Sequence, residues 1–170
     1  MTPRVFKKAK DRSNADALFV RASEQWDKGK LLSAFRLFLA GAKAGDSGAQ
    51  VNLGYFYHHG IGIKPSSKEA LKWYKIAYFR GERCAASNIG FLFRDEQKYE
   101  KAIQWFTRAV KLQDGDANLQ IAKIYLEYKQ DIGKTAGYLQ QIYKFKVGED
   151  VLESSVDEAR ALLKKIRHKR

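Results

Sequence analysis

Two consecutive stretches of this chain repeat one pattern of small and aromatic residues. In the first copy, Leu53-Gly54 is followed by Ala70, Trp73-Tyr74, Ala77 and Gly81. In the second copy, Ile89-Gly90 is followed by Ala102, Trp105-Phe106, Ala109 and Gly115. Self-similarity at a period of about 30 to 40 residues is typical of stacked helical hairpins, which form a surface for holding another molecule. The pattern therefore predicts an all-α repeat protein.

The same spacing extends beyond the two copies. A small residue inside each predicted first helix, called here the first-helix anchor, falls at Ala22, Gly54, Gly90 and Ala122. An alanine inside each predicted second helix, the second-helix anchor, falls at Ala34, Ala70, Ala102 and Ala136. Helices that approach to about 8–10 Å need a small residue at the crossing. We therefore expect about four helical hairpins, the second with a longer loop.

This pattern resembles known repeat families. Leu53-Gly54-x-x-Tyr57-x-x-Gly60-x-Gly62-Ile63, followed by Lys68-x-Ala70-x-x-Trp73-Tyr74, resembles a Sel1-like repeat. The hairpins with shorter loops resemble the related tetratricopeptide repeat. The resemblance implies a right-handed α-solenoid with repeats at about residues 15–46, 47–82, 83–115 and 116–148. The fourth repeat departs most, since Leu139 and Gln140 replace the aromatic pair.

Several residues indicate where helices begin and end. We expect Gly45, Gly81 and Gly115 to end second helices in the left-handed conformation. Ser66 or Ser67 is expected to cap the helix after the long loop. Residues 149–167 are expected to form a capping helix, because Ser155-x-x-Glu158 fits a capping box and precedes an apolar stripe. A helix that binds a partner or a membrane is the alternative.

The net charge of +13 is concentrated at the two ends of the chain. Residues 1–12 hold five Lys/Arg against one Asp, and residues 164–170 hold five and no acid. We therefore expect a basic N-terminal arm at residues 1–14 and a basic tail at 168–170. Such ends favour solubility and weak phosphate contacts over a built recognition surface, so nucleic-acid binding is the second alternative function.

The sequence contains little that could support catalysis or metal binding. His58-His59 lies at a predicted helix end without cysteines or carboxylates at ligand spacing, His168 lies in the basic tail, and Cys84 is the one cysteine. Gly60-x-Gly62 falls between two helices, not between a strand and a helix as in a phosphate loop. We expect a non-enzyme with no cofactor and no metal.

Membrane and export segments are also not expected. No apolar run approaches the length of a bilayer span. The first residues are charged and lack an apolar stretch of signal-peptide length, which predicts a cytoplasmic protein.

The resemblance also implies which residues face a partner, because first helices line the concave wall of such solenoids. The expected partner-binding residues are Asn52, Tyr55, His59, Asn88, Phe91, Arg94, Gln120 and Lys123. Three of them are amides at one repeat position, and a side-chain amide can pair with an extended peptide backbone. Surface amides without a shared role, and aromatics that only pack between hairpins, remain the alternatives. Arg94 with Asp95, and Lys123 with Glu127, are expected to form a mixed-charge rim.

The predicted function is non-catalytic binding of a protein or peptide in the concave face, as an adaptor or scaffold. Similar small bacterial repeat proteins often act as immunity proteins, so neutralisation of a cognate toxic effector is the first alternative. The positive charge suits an acidic partner, whether an effector toxin or a client protein.

Overall fold

The computed structural model describes the backbone of residues 3–167 and the side chains of residues 14–167. That part of the chain is all-α, which confirms the predicted class. Its nine α-helices are α1 (Pro3–Asp27), α2 (Leu31–Ala44), α3 (Ser47–His59), α4 (Ser67–Phe79), α5 (Cys84–Asp95), α6 (Tyr99–Lys111), α7 (Asp116–Glu127), α8 (Ile132–Gln141) and α9 (Glu153–Arg167). A 3-10 turn, Ile142–Lys144, follows α8. The helices form two compact units, Met1–Ala85 and Ala86–Arg170.

The first unit holds two hairpins, α1–α2 and α3–α4, and α2 also packs against α3. Its core is made of apolar residues from all four helices: Ala22, Ala34, Phe38, Ala42, Ala49, Leu53, Phe56 and Trp73. The loop before α4 turns at Gly60 and Gly62, both with positive φ. Ser66 then caps α4, since its Oγ accepts a hydrogen bond from the Glu69 amide at 3.3 Å. The cap is therefore Ser66, not Ser67.

A glycine facing an aromatic ring defines the crossing in two hairpins. A Cβ placed on Gly54 would lie 2.6 Å from the ring of Tyr74, and one on Gly90 would lie 2.6 Å from the ring of Phe106. Both rings are fully buried. The two first-helix anchors are small because the ring from the second helix occupies the space of a side chain, as the repeat pattern predicts.

The second unit is built on α6–α7 and α7–α8 packing, and α9 packs against α8. The described core cluster is supplied by α7, α8, the segment after it and α9: Leu119, Ala122, Leu139, Ile142, Val151, Val156, Ala159 and Ile166. Leu162 and Leu163 pack partly buried against this cluster. The apolar stripe of α9 thus lies against the α7–α8 hairpin.

The fourth hairpin places its second-helix anchor one residue earlier than expected. Thr135 is fully buried, whereas Ala136 is only partly buried. The residue four positions later, Leu139, is also fully buried, as Phe38, Tyr74 and Phe106 are in the other hairpins. The Thr135 hydroxyl donates to the Asp131 carbonyl at 2.7 Å, which satisfies its polar group inside the core. The prediction of Ala136 was wrong, and Tyr138-Leu139 replaces the aromatic pair.

Two of the three predicted glycine ends are confirmed and the third is wrong. Gly45 and Gly81 have φ of 99° and 95°, but Gly115 has φ −67° and precedes α7. The left-handed residue after α6 is Gln113, with φ 67°. Gly115 is small for another reason, because a Cβ there would lie 2.8 Å from Phe145 and 2.9 Å from Val151.

The capping box predicted at Ser155 is also wrong. Helix α9 begins at Glu153, and Ser155 is buried inside its first turn. The amide of Leu152, just before the helix, donates to the Asp116 carboxylate at 3.0 Å. The basic segment 1–14 is helical from Pro3 onward, whereas the tail at 168–170, with His168, lies outside the described residues.

Candidate functional site

The eight predicted partner-binding residues all lie on first helices and none of them is buried. Three lie on α3 in the first unit, namely Asn52, Tyr55 and His59. Three lie on α5 in the second unit, namely Asn88, Phe91 and Arg94. Two lie on α7 in the same unit, namely Gln120 and Lys123.

Arg94 connects α5 to α7. Its Nη1 donates to Gln120 Oε1 at 3.0 Å, and its Nη2 lies 3.0 Å from Asp95 Oδ1. The guanidinium also lies over the ring of Phe91, 4.9 Å from the centroid. Gln120 and Phe91 therefore hold Arg94 in place, and Arg94 lies beside Asp95 as expected.

Phe91 packs within its hairpin, which is one of the two roles proposed for it from sequence, and its role as a contact for a partner stays a prediction. Its ring packs edge-on against buried Phe106, with centroids 5.1 Å apart and an interplanar angle of 79°. The same ring also supports the Arg94 guanidinium. Because Phe91 is only partly buried, it fixes a charged group at the surface while belonging to the hairpin packing.

Lys123 pairs with a residue that the sequence analysis did not assign to it. Its Nζ lies 2.8 Å from Glu158 Oε1 on α9, while Lys123 and Glu127 both line the cavity described below, as expected for a mixed-charge rim. Glu158 and Lys123 are 35 positions apart, so the pair depends on α9 packing against α7. Glu127 is left to line the neighbouring cavity.

These residues surround a cavity of about 390 Å³, called here the α5–α7 groove. Its lining combines two cations, two carboxylates, two amides, two phenols and one apolar side chain: Arg94, Asp95, Gln97, Tyr99, Gln120, Lys123, Ile124, Glu127 and Tyr128. Three predicted residues, Arg94, Gln120 and Lys123, are brought together here. Asn88 and Phe91 lie on α5 outside this lining.

The groove also contains an aromatic pair that the sequence analysis missed. The rings of Tyr99 and Tyr128 stack with centroids 3.9 Å apart and planes 21° apart. Burial raises the pKa of Tyr99, and the hydrogen bond to Tyr128 and the charge of Glu127 raise it further. Tyr128 remains half exposed. Both residues lie at helix ends outside the repeat positions compared above, so the repeat pattern gave no indication of them.

Gln97 is a second feature of the groove that the sequence did not indicate. It has φ 58°, in the left-handed region, at the turn between α5 and α6. The equivalent residue between α1 and α2 is Gly29, with φ 69°. A left-handed residue with a side chain costs about 1 kcal/mol or more relative to ordinary backbone, so the amide is presented at the rim of the groove despite a conformational penalty.

In the first unit, the predicted residues form part of an aromatic surface on α3. The Tyr55 ring lies 5.9 Å from Trp26 and 4.3 Å from His59, and His59 stacks on His58 at 4.3 Å. About a third of the Tyr55 residue, 36% of its area, is accessible to solvent. These rings pack on one another, and their role as contacts for a partner stays a prediction.

The chemistry available at these surfaces is hydrogen bonding, ion pairing and stacking. Among the side chains of residues 14–167, no three His, Cys, Asp or Glu residues lie together as a metal site would require. No helix in the described part of the chain combines the length and apolar character of a membrane span.

Comparison with known proteins identifies the repeat family that this chain matches. The Sel1 repeat family matches residues 47–81 and 85–114. Over 86 residues, 51% of this chain, the sequence is 33% identical to a putative sel1-like repeat-containing protein of Acanthamoeba polyphaga mimivirus. The chain spans only 16% of the length of that relative.

Two solved structures of repeat proteins have a similar fold. A Sel1 repeat protein from Oxalobacter formigenes superposes with a TM-score of 0.68 at 25% identity, over 97% of this chain and 66% of that one. A tetratricopeptide repeat protein from Parabacteroides merdae gives a TM-score of 0.67 at 19% identity, over 92% of this chain and 61% of that one. Both likenesses confirm the helical repeat solenoid fold.

Proposed function

Because the chain belongs to the Sel1-like repeat proteins, we propose that it is a non-catalytic adaptor or scaffold. It binds a segment of a partner protein against the exposed face of its first helices. Sel1 repeat proteins are in general protein-interaction modules and scaffolds. The site that supports the proposal best is the α5–α7 groove.

The observation that carries this proposal is that contacts within the chain already hold the Arg94 side chain in place. Gln120, Asp95 and the Phe91 ring fix the guanidinium, and Glu158 fixes Lys123 in the same way. A side chain that is already ordered loses less conformational entropy on binding, which otherwise costs about 0.5–1.5 kcal/mol for each long side chain. The side chains of Arg94 and Lys123 are therefore already ordered for binding a partner.

The groove favours recognition through hydrogen bonds and stacking more than through net charge. Its two cations are balanced by two carboxylates, and the amides of Gln97 and Gln120 supply both donors and acceptors. An extended peptide backbone presents the complementary groups. Half-exposed Tyr128 supplies a rigid aromatic surface of the type that dominates interface energies.

The proposal is tested by identifying the partner and measuring its affinity for groove variants. The full chain is immobilised, and proteins captured from the source cells are identified by mass spectrometry. We expect Tyr128→Ala and Arg94→Ala to weaken binding of the captured partner by about 10- to 100-fold, as interface hot spots do. Tyr55→Ala tests the aromatic surface of α3. Lys75→Ala, an exposed residue of α4, serves as the control and should change affinity by less than about twofold.

The same experiment distinguishes the adaptor from the other candidates. An adaptor exchanges its partner, whereas an immunity protein holds one effector with very slow dissociation. Groove variants that fold and bind the partner with unchanged affinity would overturn the site. Binding that depends only on the basic termini would support nucleic-acid binding instead. The C-terminal truncation for that test removes residues 168–170 alone, because Ile166 is buried in the core.

A further inference from the structure

A second cavity, of about 640 Å³, lies between α9 and the end of α8 with the 3-10 turn that follows it. It is called here the α8–α9 groove and is lined by Gln140, Tyr143, Arg160, Leu163, Lys164 and Arg167. None of these residues belongs to the α5–α7 groove. The cavity has the size of sites that hold small ligands or short peptide segments, about 300–1,000 Å³.

The charge of this groove has one sign. Its three ionisable cations are Arg160, Lys164 and Arg167, and no carboxylate is among the lining residues. Asp157 is engaged by Arg160 at 2.8 Å, and Glu158 is engaged by Lys123. Among the described residues, Lys164 and Arg167 make no ion pair. The groove therefore differs from the charge-balanced α5–α7 groove.

The cations also form a row. Residues at positions i, i+4 and i+7 share one helix face, and seven residues of helix rise about 10 Å. An extended peptide advances about 3.3 Å per residue, so three or four residues cover the row. Below the row, Leu163 is partly buried against the core, and Tyr143 stands at the edge with 48% of its area exposed. The groove thus offers contacts for carboxylates and for one apolar side chain.

We propose that the α8–α9 groove binds an acidic protein segment in extended conformation, with its carboxylates on Arg160, Lys164 and Arg167 and an apolar side chain against Leu163 and Tyr143. This site is independent of the function proposed for the α5–α7 groove. A single-stranded nucleic acid is the less suitable occupant, because such sites stack successive bases on several aromatic residues. The lining residues here include one aromatic side chain, Tyr143.

The test uses fluorescence anisotropy with the full chain and a short fluorescein-labelled peptide of Glu and Asp with one central Phe. Two further probes are the same peptide with Gln and Asn in place of the acids, and an oligothymidine of equal charge. We expect the acidic peptide to bind and the neutral one not to bind. The double variant Lys164→Gln/Arg167→Gln should weaken binding of the acidic peptide by about tenfold or more, since it removes two charge-assisted contacts.

The matched control is Lys75→Gln/Lys111→Gln, which removes the same charge from exposed positions outside both grooves. Its effect should stay below about twofold at the same ionic strength. Tyr143→Ala should weaken binding of the peptide that contains Phe. It should leave unchanged the binding of a peptide in which Gly replaces that Phe. Equal losses in the double variant and its control would show unspecific attraction and overturn the proposal. Tighter binding of oligothymidine than of the acidic peptide would overturn it as well.

Discussion

The α3–α4 and α7–α8 hairpins build the same helix crossing from different side chains. In α3–α4, a glycine at position 54 leaves space for the ring of Tyr74. In α7–α8, the equivalent positions are Ala122 and Leu139, both fully buried in one core cluster. A larger residue on one helix is offset by a smaller residue on the other. Between these two hairpins the volume at the crossing is thus similar, whereas α1–α2 combines Ala22 with the larger Phe38.

The two hairpins also differ in what supports them. The α7–α8 hairpin has a smaller side chain at its crossing, but α9 adds Val156, Ala159 and Ile166 to its core. The α3–α4 hairpin contributes Leu53, Phe56 and Trp73 to a core that it shares with α1 and α2. The irregular repeat therefore depends on a helix outside the repeat pattern.

Truncating the crossing side chain gives the largest expected effect. Tyr74→Ala should destabilise the protein by about 3–5 kcal/mol and Leu139→Ala by about 2–4 kcal/mol, because a larger buried side chain leaves a larger cavity. Phe79→Ala, at a residue with 79% of its area exposed, is the control and should change stability by less than about 0.5 kcal/mol. Urea unfolding followed by circular dichroism measures all three. A greater loss for Leu139→Ala would contradict the comparison.

Exchanging the residue pair tests whether volume is shared across the crossing. Gly54→Ala alone should cost about 1–3 kcal/mol, since its Cβ would meet the Tyr74 ring at 2.6 Å. The double variant Gly54→Ala/Tyr74→Leu reproduces the pair found in α7–α8, and we expect a favourable coupling energy of about 1–2 kcal/mol. Additive losses in this double-mutant cycle would show that the two positions do not share volume.

The helix caps differ in their response to pH. Ser66 caps α4, whereas the Asp131 carboxylate caps α8 by accepting from the Lys134 amide at 2.8 Å. The hydrogen bond from that amide is the main reason that the pKa of Asp131 lies below its usual value. The stabilisation by this carboxylate is complete above the pKa of the unfolded chain, and it is lost as the pH falls through the lowered pKa.

Thermal unfolding between neutral and acidic pH measures this difference. Asp131→Asn keeps a capping side chain but does not titrate, so the gap in Tm between wild type and variant should narrow as the pH falls. Ser66→Ala should cost about 1 kcal/mol at every pH in that range. A gap between wild type and Asp131→Asn that stays constant with pH would show that this carboxylate contributes nothing through its charge.

The sequence predicted the hairpins because their determinants are local. Gly54, Gly90 and the aromatic residues that face them recur at a fixed spacing, and the same small residue is needed wherever two helices cross closely. The second-helix anchor of the fourth hairpin was misplaced by one residue, because a buried threonine satisfies its hydroxyl within its own helix and so occupies a position where alanine was expected. Gly115 was misassigned since its contacts come from residues 145 and 151, far along the chain.

The candidate site was less predictable from sequence. Arg94, Gln120 and Lys123 were predicted because they occupy repeated positions on first helices, and the structure brings them to one groove. The Lys123–Glu158 pair and the Tyr99–Tyr128 stack depend on how separate helices pack, and no periodic pattern connects their members. That the residues of α3 and those of α5 bind one partner stays a prediction.

The varying hairpin connections suggest where the chain can be modified without disturbing its helices. Three residues, 28–30, join α1 to α2, whereas seven residues, 60–66, join α3 to α4. A Cβ on Gly29 would meet nothing within 4 Å. Since longer loops cost little free energy, a fluorescent reporter or affinity tag inserted beside Gly29 should leave both hairpins folded. That position offers an attachment point for following partner capture in real time.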